Sequence, residues 1–175
     1  MGLDMYLYLE KYESEYEVEY EEREKLRNKI MERLYPDEML PLMKSMDEKR
    51  KITLSRIARY EVGYWRKANA IHNWIIQNCT ADGTDDCKPI YIDTSDAEKL
   101  RDICNEVLRD RSKASEFLPT AEGFFFGGTG YDDGYMEDVR YTAELLSEVL
   151  NFIHSTTKDP IISKKSYYIV YEASW

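Results

Sequence analysis

Nowhere in this sequence do about eighteen apolar residues run together, so no segment qualifies as a membrane-spanning helix. Basic charge is also in short supply. Lysine and arginine total 24 against 34 aspartates and glutamates, which gives a formal net charge of -10 and a pI of about 4.8. That balance excludes the broad basic footprint on which salt-driven attachment to a duplex phosphate backbone depends, so direct duplex binding is not expected. Cysteine is scarce: Cys79, Cys87 and Cys104 form no CxxC pair and cannot all be bridged within one chain. Reduced thiols in a cytoplasm are the expectation. The start, Met1-Gly2-Leu3-Asp4, has neither the basic opening nor the apolar run of a secretory leader, and Tyr6 stands where myristoylation requires Ser or Thr.

What is present is aromatic and amphipathic. Hydrophobic residues make up 43% of the chain, enough for a packed core and too many for wholesale disorder. Fifteen tyrosines against five phenylalanines mean that most rings carry a hydroxyl, which suits half-buried sheet faces and binding surfaces.

Leu3, Met5, Leu7 and Leu9 alternate with Asp4, Tyr6, Tyr8 and Glu10, the period of a strand with one core face. Residues 13–20 also alternate. However, Val18, Glu22, Leu26, Ile30 and Leu34 step by four, with glutamates early and cations late, and this predicts a helix over 16–34 that Pro36 ends. Residues 36–51 read as a connector with one short helical turn at most, because two prolines interrupt them. An extended stretch over 52–61 leads into a central helix that takes in Tyr64 and Trp65 and runs to about residue 78. A polar Asp-Gly loop and a short strand over 89–92 come next. Ser95 with Glu98 forms a capping-box pattern for a helix lined by Leu100, Ile103, Cys104, Val107 and Leu108. After Pro119 come the rings of Phe124, Phe125 and Phe126, a glycine cluster over 127–130, a long helix over 132–154 and a strand over 167–171. This order predicts one α+β domain over 1–175, with a small, mostly antiparallel sheet packed against several α-helices.

Several islands together resemble one family. They are Met1-Gly2-Leu3-Asp4-Met5-Tyr6-Leu7, the core Val62-Gly63-Tyr64-Trp65-Arg66-Lys67-Ala68-Asn69-Ala70-Ile71-His72-Asn73-Trp74, Asp85-Asp86-Cys87, Leu118-Pro119-Thr120, Gly123-Phe124-Phe125-Phe126-Gly127 and the closing Ala173-Ser174-Trp175. The family is a group of small, largely uncharacterised proteins of bacteriophages and prophage-bearing bacteria. The resemblance implies a phage setting inside a bacterial cell, and no catalytic residue or cofactor is carried over with it. Residues 11–51 match nothing in it and read as a variable or inserted helical region.

The candidate ligand-binding residues are Trp65, Arg66, Lys67, Asn69, His72, Asn73, Asp85 and Asp86. Arg66 and Lys67 stand near a helix start, where cations oppose the dipole. That placement suggests an external anion, although a salt bridge to an internal carboxylate such as Glu61 or Asp86 is the ordinary reading. His72 lies on an apolar helix face, where a packed histidine is the ordinary reading and an acid–base role the sharper one. Asp82, Asp85 and Asp86 lack the ligand ladder of an EF-hand loop, and Cys87, His72 and Cys104 lack zinc spacing, so neither a metal nor a cofactor is expected. The glycine cluster matches neither phosphate-loop pattern.

With no complete catalytic motif, the leading expectation is a phage-encoded accessory binding protein that captures a host protein or a small phosphorylated ligand. Counter-defence enters by analogy alone. The alternative is an enzyme acting on a nucleotide or other phosphate compound through Arg66, Lys67 and His72. Self-association stays open.

Overall fold

A computed structural model describes residues 2–14, 27, 31–32, 34–50, 55–123, 126–157 and 167–175. The leucine–tyrosine alternation near the N-terminus gives strand β1 (Asp4–Ser14), and β2 (Ser55–Arg66) returns antiparallel along it. The terminal Tyr-Tyr-Ile-Val-Tyr run gives β4 (Tyr167–Ser174), which pairs antiparallel with β1 on its other side. The three-residue β3 (Ile90–Ile92) then pairs with β4. The sheet order is β2-β1-β4-β3, so the expected α+β class with an antiparallel sheet is what the chain forms.

Register decides the faces. Leu3, Met5, Leu7 and Leu9 share one side with Ile169, Tyr171, Ala173 and Trp65, all buried. Helices α2 (Asn69–Cys79), α3 (Thr94–Arg109) and α5 (Asp133–Thr157) complete that core with Ile71, Ile75, Leu100, Cys104, Val139, Leu146 and Leu150. The short α4 (Ala114–Phe117) contributes Ala114. At Gly63 α5 packs directly on the sheet: a Cβ there would lie 2.3 Å from Leu145 Cδ2, so any larger residue forces the Leu145 side chain to move.

The opposite face carries tyrosines and charges. Arg59 Nε donates to Glu10 Oε1 at 2.6 Å and its Nη1 to Glu172 Oε1 at 2.8 Å, while its guanidinium lies 4.5 Å from the centre of the Tyr8 ring. Tyr91 adds a hydrogen bond to Glu10 at 3.3 Å.

Three expectations need correction. Tyr64 and Trp65 belong to β2, not to the central helix. Pairing with Tyr6 and Met5 of β1 outweighs the helical spacing of this segment, and α2 starts only at Asn69. The connector over 36–51 holds an eleven-residue helix, α1 (Leu40–Arg50), because Pro41 sits in its first turn, where no amide donor is needed. Helix α3 starts at Thr94 with Asp93 at its N-cap, just ahead of the Ser95 box. Most of the helix expected over 16–34 lies outside the described residues, as do Phe124 and Phe125. Met31 and Leu34 are helical or adjoin helix and form a small apolar cluster with Tyr35, Leu40 and Met43, separate from the main core. Arg27 fastens this unit to α1 through a two-pronged bond to Asp47, at 2.9 and 2.5 Å.

Candidate functional site

The strand-to-helix turn after β2 is an elbow. Lys67 takes up a left-handed backbone with φ of 62°, which disfavours any residue with a Cβ, and its N–H is held by Leu3 O at 2.8 Å. This turn reverses the chain within two residues and delivers Asn69 to the first position of α2. Asn69 is buried and fully engaged. Its Nδ2 donates to Phe126 O at 3.0 Å and to Gly128 O at 2.8 Å, and its Oδ1 accepts from Ala121 N at 3.0 Å. One side chain thereby holds the backbone on either side of Gly127 against the elbow. Gly127 meets this fit in two ways, with φ of 88° and a position where a Cβ would lie 3.1 Å from Lys67 Cβ.

Between these parts opens a cleft of about 390 Å³. Arg66 and Lys67 line it from the elbow, Ala70 and Ile71 from the first turn of α2, and Gly127 and Gly128 from the loop. Asp132, Glu137 and Asp138 line it from the start of α5. Asp132 has a structural task as well, since its Oδ1 caps α5 by accepting from Tyr135 N at 3.0 Å. The Asp138 carboxyl is pushed up to about 6 by burial and then by the neighbouring Glu137 and Asp132 charges. The cleft therefore presents cations and a helix start on one side and a carboxylate that titrates close to neutrality on the other.

His72 lies one turn further along α2 and does not line this cleft. It is buried, with Nδ1 2.7 Å from the Tyr171 hydroxyl and Nε2 3.4 Å from Asp85 Oδ2. Burial holds its pKa below the usual value, against the opposing pull of Asp85, and burial drives Tyr171 well above 10. A neutral imidazole beside a protonated phenol assigns the protons: Tyr171 O–H donates to Nδ1, and Nε2–H faces Asp85. Asp85 collects two further donors, Trp175 Nε1–H at 2.7 Å and Cys87 N–H at 2.8 Å. Phe126 packs edge-on against both His72 and Trp175. The order Tyr–His–Asp has the connectivity of a catalytic triad, but the tyrosine is fully enclosed, so no substrate reaches its oxygen. The chain acts as a fastener joining α2, the Asp85 loop, the glycine segment and the C-terminal strand.

The other candidates disperse. Trp65 is a core residue whose indole N–H donates to Thr142 Oγ1 at 2.9 Å. Asp86 pairs with Lys88 at 2.5 Å on the exposed loop, and Asn73 is half-buried on α2. Arg66 lies 3.9 Å from Asp4, a loose contact that leaves it exposed; neither Glu61 nor Asp86 is its partner. Among the described residues, no group of three or more His, Cys, Asp or Glu side chains is placed to hold a metal ion. Sequence reading missed Asp138, Tyr171 and Trp175. The signal for Tyr171 was its inward register two residues from Ile169, while nothing local singled out Asp138 from the other acids of α5. Comparison with protein-family models, with curated proteins and with solved structures found no match to this chain.

Proposed function

We propose that the protein is an accessory binding module that captures a small phosphorylated ligand in the elbow cleft. The observation that carries this reading is the convergence of Arg66, Lys67, the first turn of α2 and the Asn69-held glycine backbone on one concave space. Exposed cations beside a helix start suit an anionic oxygen group. The carboxylates across the cleft argue against a bare phosphate. They favour a ligand that also carries an amino group or another N–H donor, as nucleotides and aminoalkyl phosphates do. A phage setting rests on the family resemblance, and sequestering a phosphorylated signal of the host cell is the counter-defence role that fits such a binder.

Isothermal titration with inorganic phosphate, phosphoethanolamine and adenosine monophosphate tests the reading. Binding of either amine-bearing compound should exceed that of phosphate and should be lost in Lys67→Ala. Equal, feeble binding of all three to both proteins would remove it.

Asp138 favours a second reading, an enzyme acting on a phosphate compound, because a carboxyl with a pKa of about 6 suits proton transfer near neutrality. In that reading the acid–base group is Asp138, since His72 is enclosed elsewhere. Product release that disappears in Asp138→Asn while ligand binding persists would support it.

A further inference from the structure

The two edges of the sheet are unlike. On one side β3 is only three residues long, a length that offers little to a neighbouring strand. On the other side β2 runs for twelve residues, and the strand order places no described strand beyond it. A bulge and the charges of Arg59 and Glu61 interrupt this rim, but it still presents apolar side chains. Ile57 and Tyr60 are 62% and 51% exposed, and the Tyr64 amide donates to the Tyr141 hydroxyl at 3.3 Å. A groove of about 510 Å³ opens at the same rim, lined by Tyr60 and Val62 of β2 and by Leu145, Glu148, Val149 and Phe152 of α5, and reaches inward to Leu9 of β1 and Tyr167 of β4. Phe152 is itself 41% exposed.

The sequence of this rim is complementary to itself. Reading outward from Tyr60, Arg59 is mirrored by Glu61, Ala58 by Val62 and Ile57 by Gly63. Two antiparallel copies crossing at Tyr60 therefore set Arg59 of each, which already holds Glu10 and Glu172 of its own chain, opposite Glu61 of the other as a further acidic neighbour, and set apolar residues opposite apolar or small ones. Shifting the crossing by one residue to Arg59 would instead place two arginines face to face. A two-fold axis through Tyr60 is the register in which the charges agree, and two-fold pairing of identical patches is the commonest form of self-association.

We propose that the β2 edge is a self-association surface on which a second copy of this chain pairs antiparallel about Tyr60, joining two four-stranded sheets into one. In this arrangement Ala58 and Tyr60 of each copy cover the apolar groove of the other. The bulge opposite Leu7 and Tyr8 limits the paired stretch to the half of β2 before Gly63, leaving the elbow cleft open at the strand's far end. The proposal does not depend on what the cleft binds. The net charge of -10 on each copy opposes approach at low ionic strength, but salt near the physiological level screens all but the facing pairs.

The test uses the full chain. Sedimentation velocity over a range of concentrations should show a monomer–dimer equilibrium that Tyr60→Asp shifts toward monomer, raising the dissociation constant about tenfold or more. Tyr168→Asp, on the exposed sheet face away from this rim, should leave the equilibrium in place. Unchanged circular dichroism and melting show that Tyr60→Asp folds. In a Cys87→Ser background, Tyr60→Cys should form an inter-chain disulfide under mild oxidation, because only the on-axis residue meets its own copy, and Glu61→Cys should not. A wild-type chain that stays monomeric at every concentration overturns the proposal, as does a dimer indifferent to Tyr60→Asp or one cross-linked equally at both positions. Any of these results would leave the rim to a different partner.

Discussion

Asn69 and His72 stand one helical turn apart on α2, and each organises a region with the opposite treatment of polar groups. Around His72 the polar groups turn to partners inside the protein, from the Tyr171 hydroxyl to the Trp175 indole. Around Asn69 the side chain is equally satisfied, yet what it holds in place is an open cleft lined by the exposed Arg66 and Lys67 and the half-buried Asp138. The first region uses its polar atoms to fix the fold. The second uses a fixed frame to keep charges unspent. A histidine between tryptophans draws the eye in the sequence, but the residues left free to act on another molecule are the lysine and arginine just before the helix.

Substitutions can break or sharpen this contrast. The largest effect is expected from Trp65→Ala, which removes a buried ring and its bond to Thr142 from the wall behind the cleft. It should cost roughly 3–5 kcal/mol in a denaturant melt, showing that this residue supports the fold and not a ligand. Tyr171→Phe leaves His72 Nδ1 without its donor and should cost roughly 1–3 kcal/mol while ligand titrations stay unchanged.

The two regions also respond to acid with opposite signs. Asp138 has a folded pKa of about 6, raised above its ordinary value, so the folded state holds that proton more tightly and stability from this group falls as pH rises from about 4 to 6. Asp138→Asn should remove that slope and, after allowance for solvent screening, stabilise the protein at neutral pH by about 1–2 kcal/mol. His72 works the other way. Its folded pKa is depressed, so its contribution is present above the ordinary imidazole value and is lost as pH falls below it. Comparing His72→Gln and Asp138→Asn melts between about pH 4 and 7 separates the two slopes. The smallest effect belongs to Lys67→Gly. Relief of the left-handed backbone should leave stability unchanged or raise it by up to about 1 kcal/mol, while ligand capture is lost.

Much of the fold was legible because its period-two and period-four patterns are strong. Leu3 to Leu9, the α5 face of Val139, Leu146 and Leu150, and the closing Tyr167 to Tyr171 all fell where the alternation put them. The boundary between β2 and α2 was not legible, because Tyr64 and Trp65 satisfy a helical face and a strand equally well, and only the distant partner strand β1 decides between them. Of the eight site residues, Arg66, Lys67 and Asn69 meet at one cleft, while His72 and Asp85 meet in a separate, enclosed chain. Adjacency along the chain placed the first group together. Nothing along it could single out Asp138, because its altered proton affinity arises first from burial, which the spacing of the α5 acids does not reveal, and then from the neighbouring Glu137 and Asp132.

Strand β4 carries a kinetic consequence. It is the last described element, yet it lies inside the sheet between β1, the first, and β3. The pairing of Leu7 with Tyr171 closes a loop spanning nearly the whole chain, and the His72 fastener also waits for Tyr171 and Trp175. Such long-range closure must be met before the sheet rewards it, which predicts slow, concerted folding. While synthesis is still short of Tyr167, β1 has only β2 to pair with, and its other edge stays open. The antiparallel pair of β1 and β2 is therefore the natural first nucleus, and β4 then covers the exposed, aggregation-prone edge of β1.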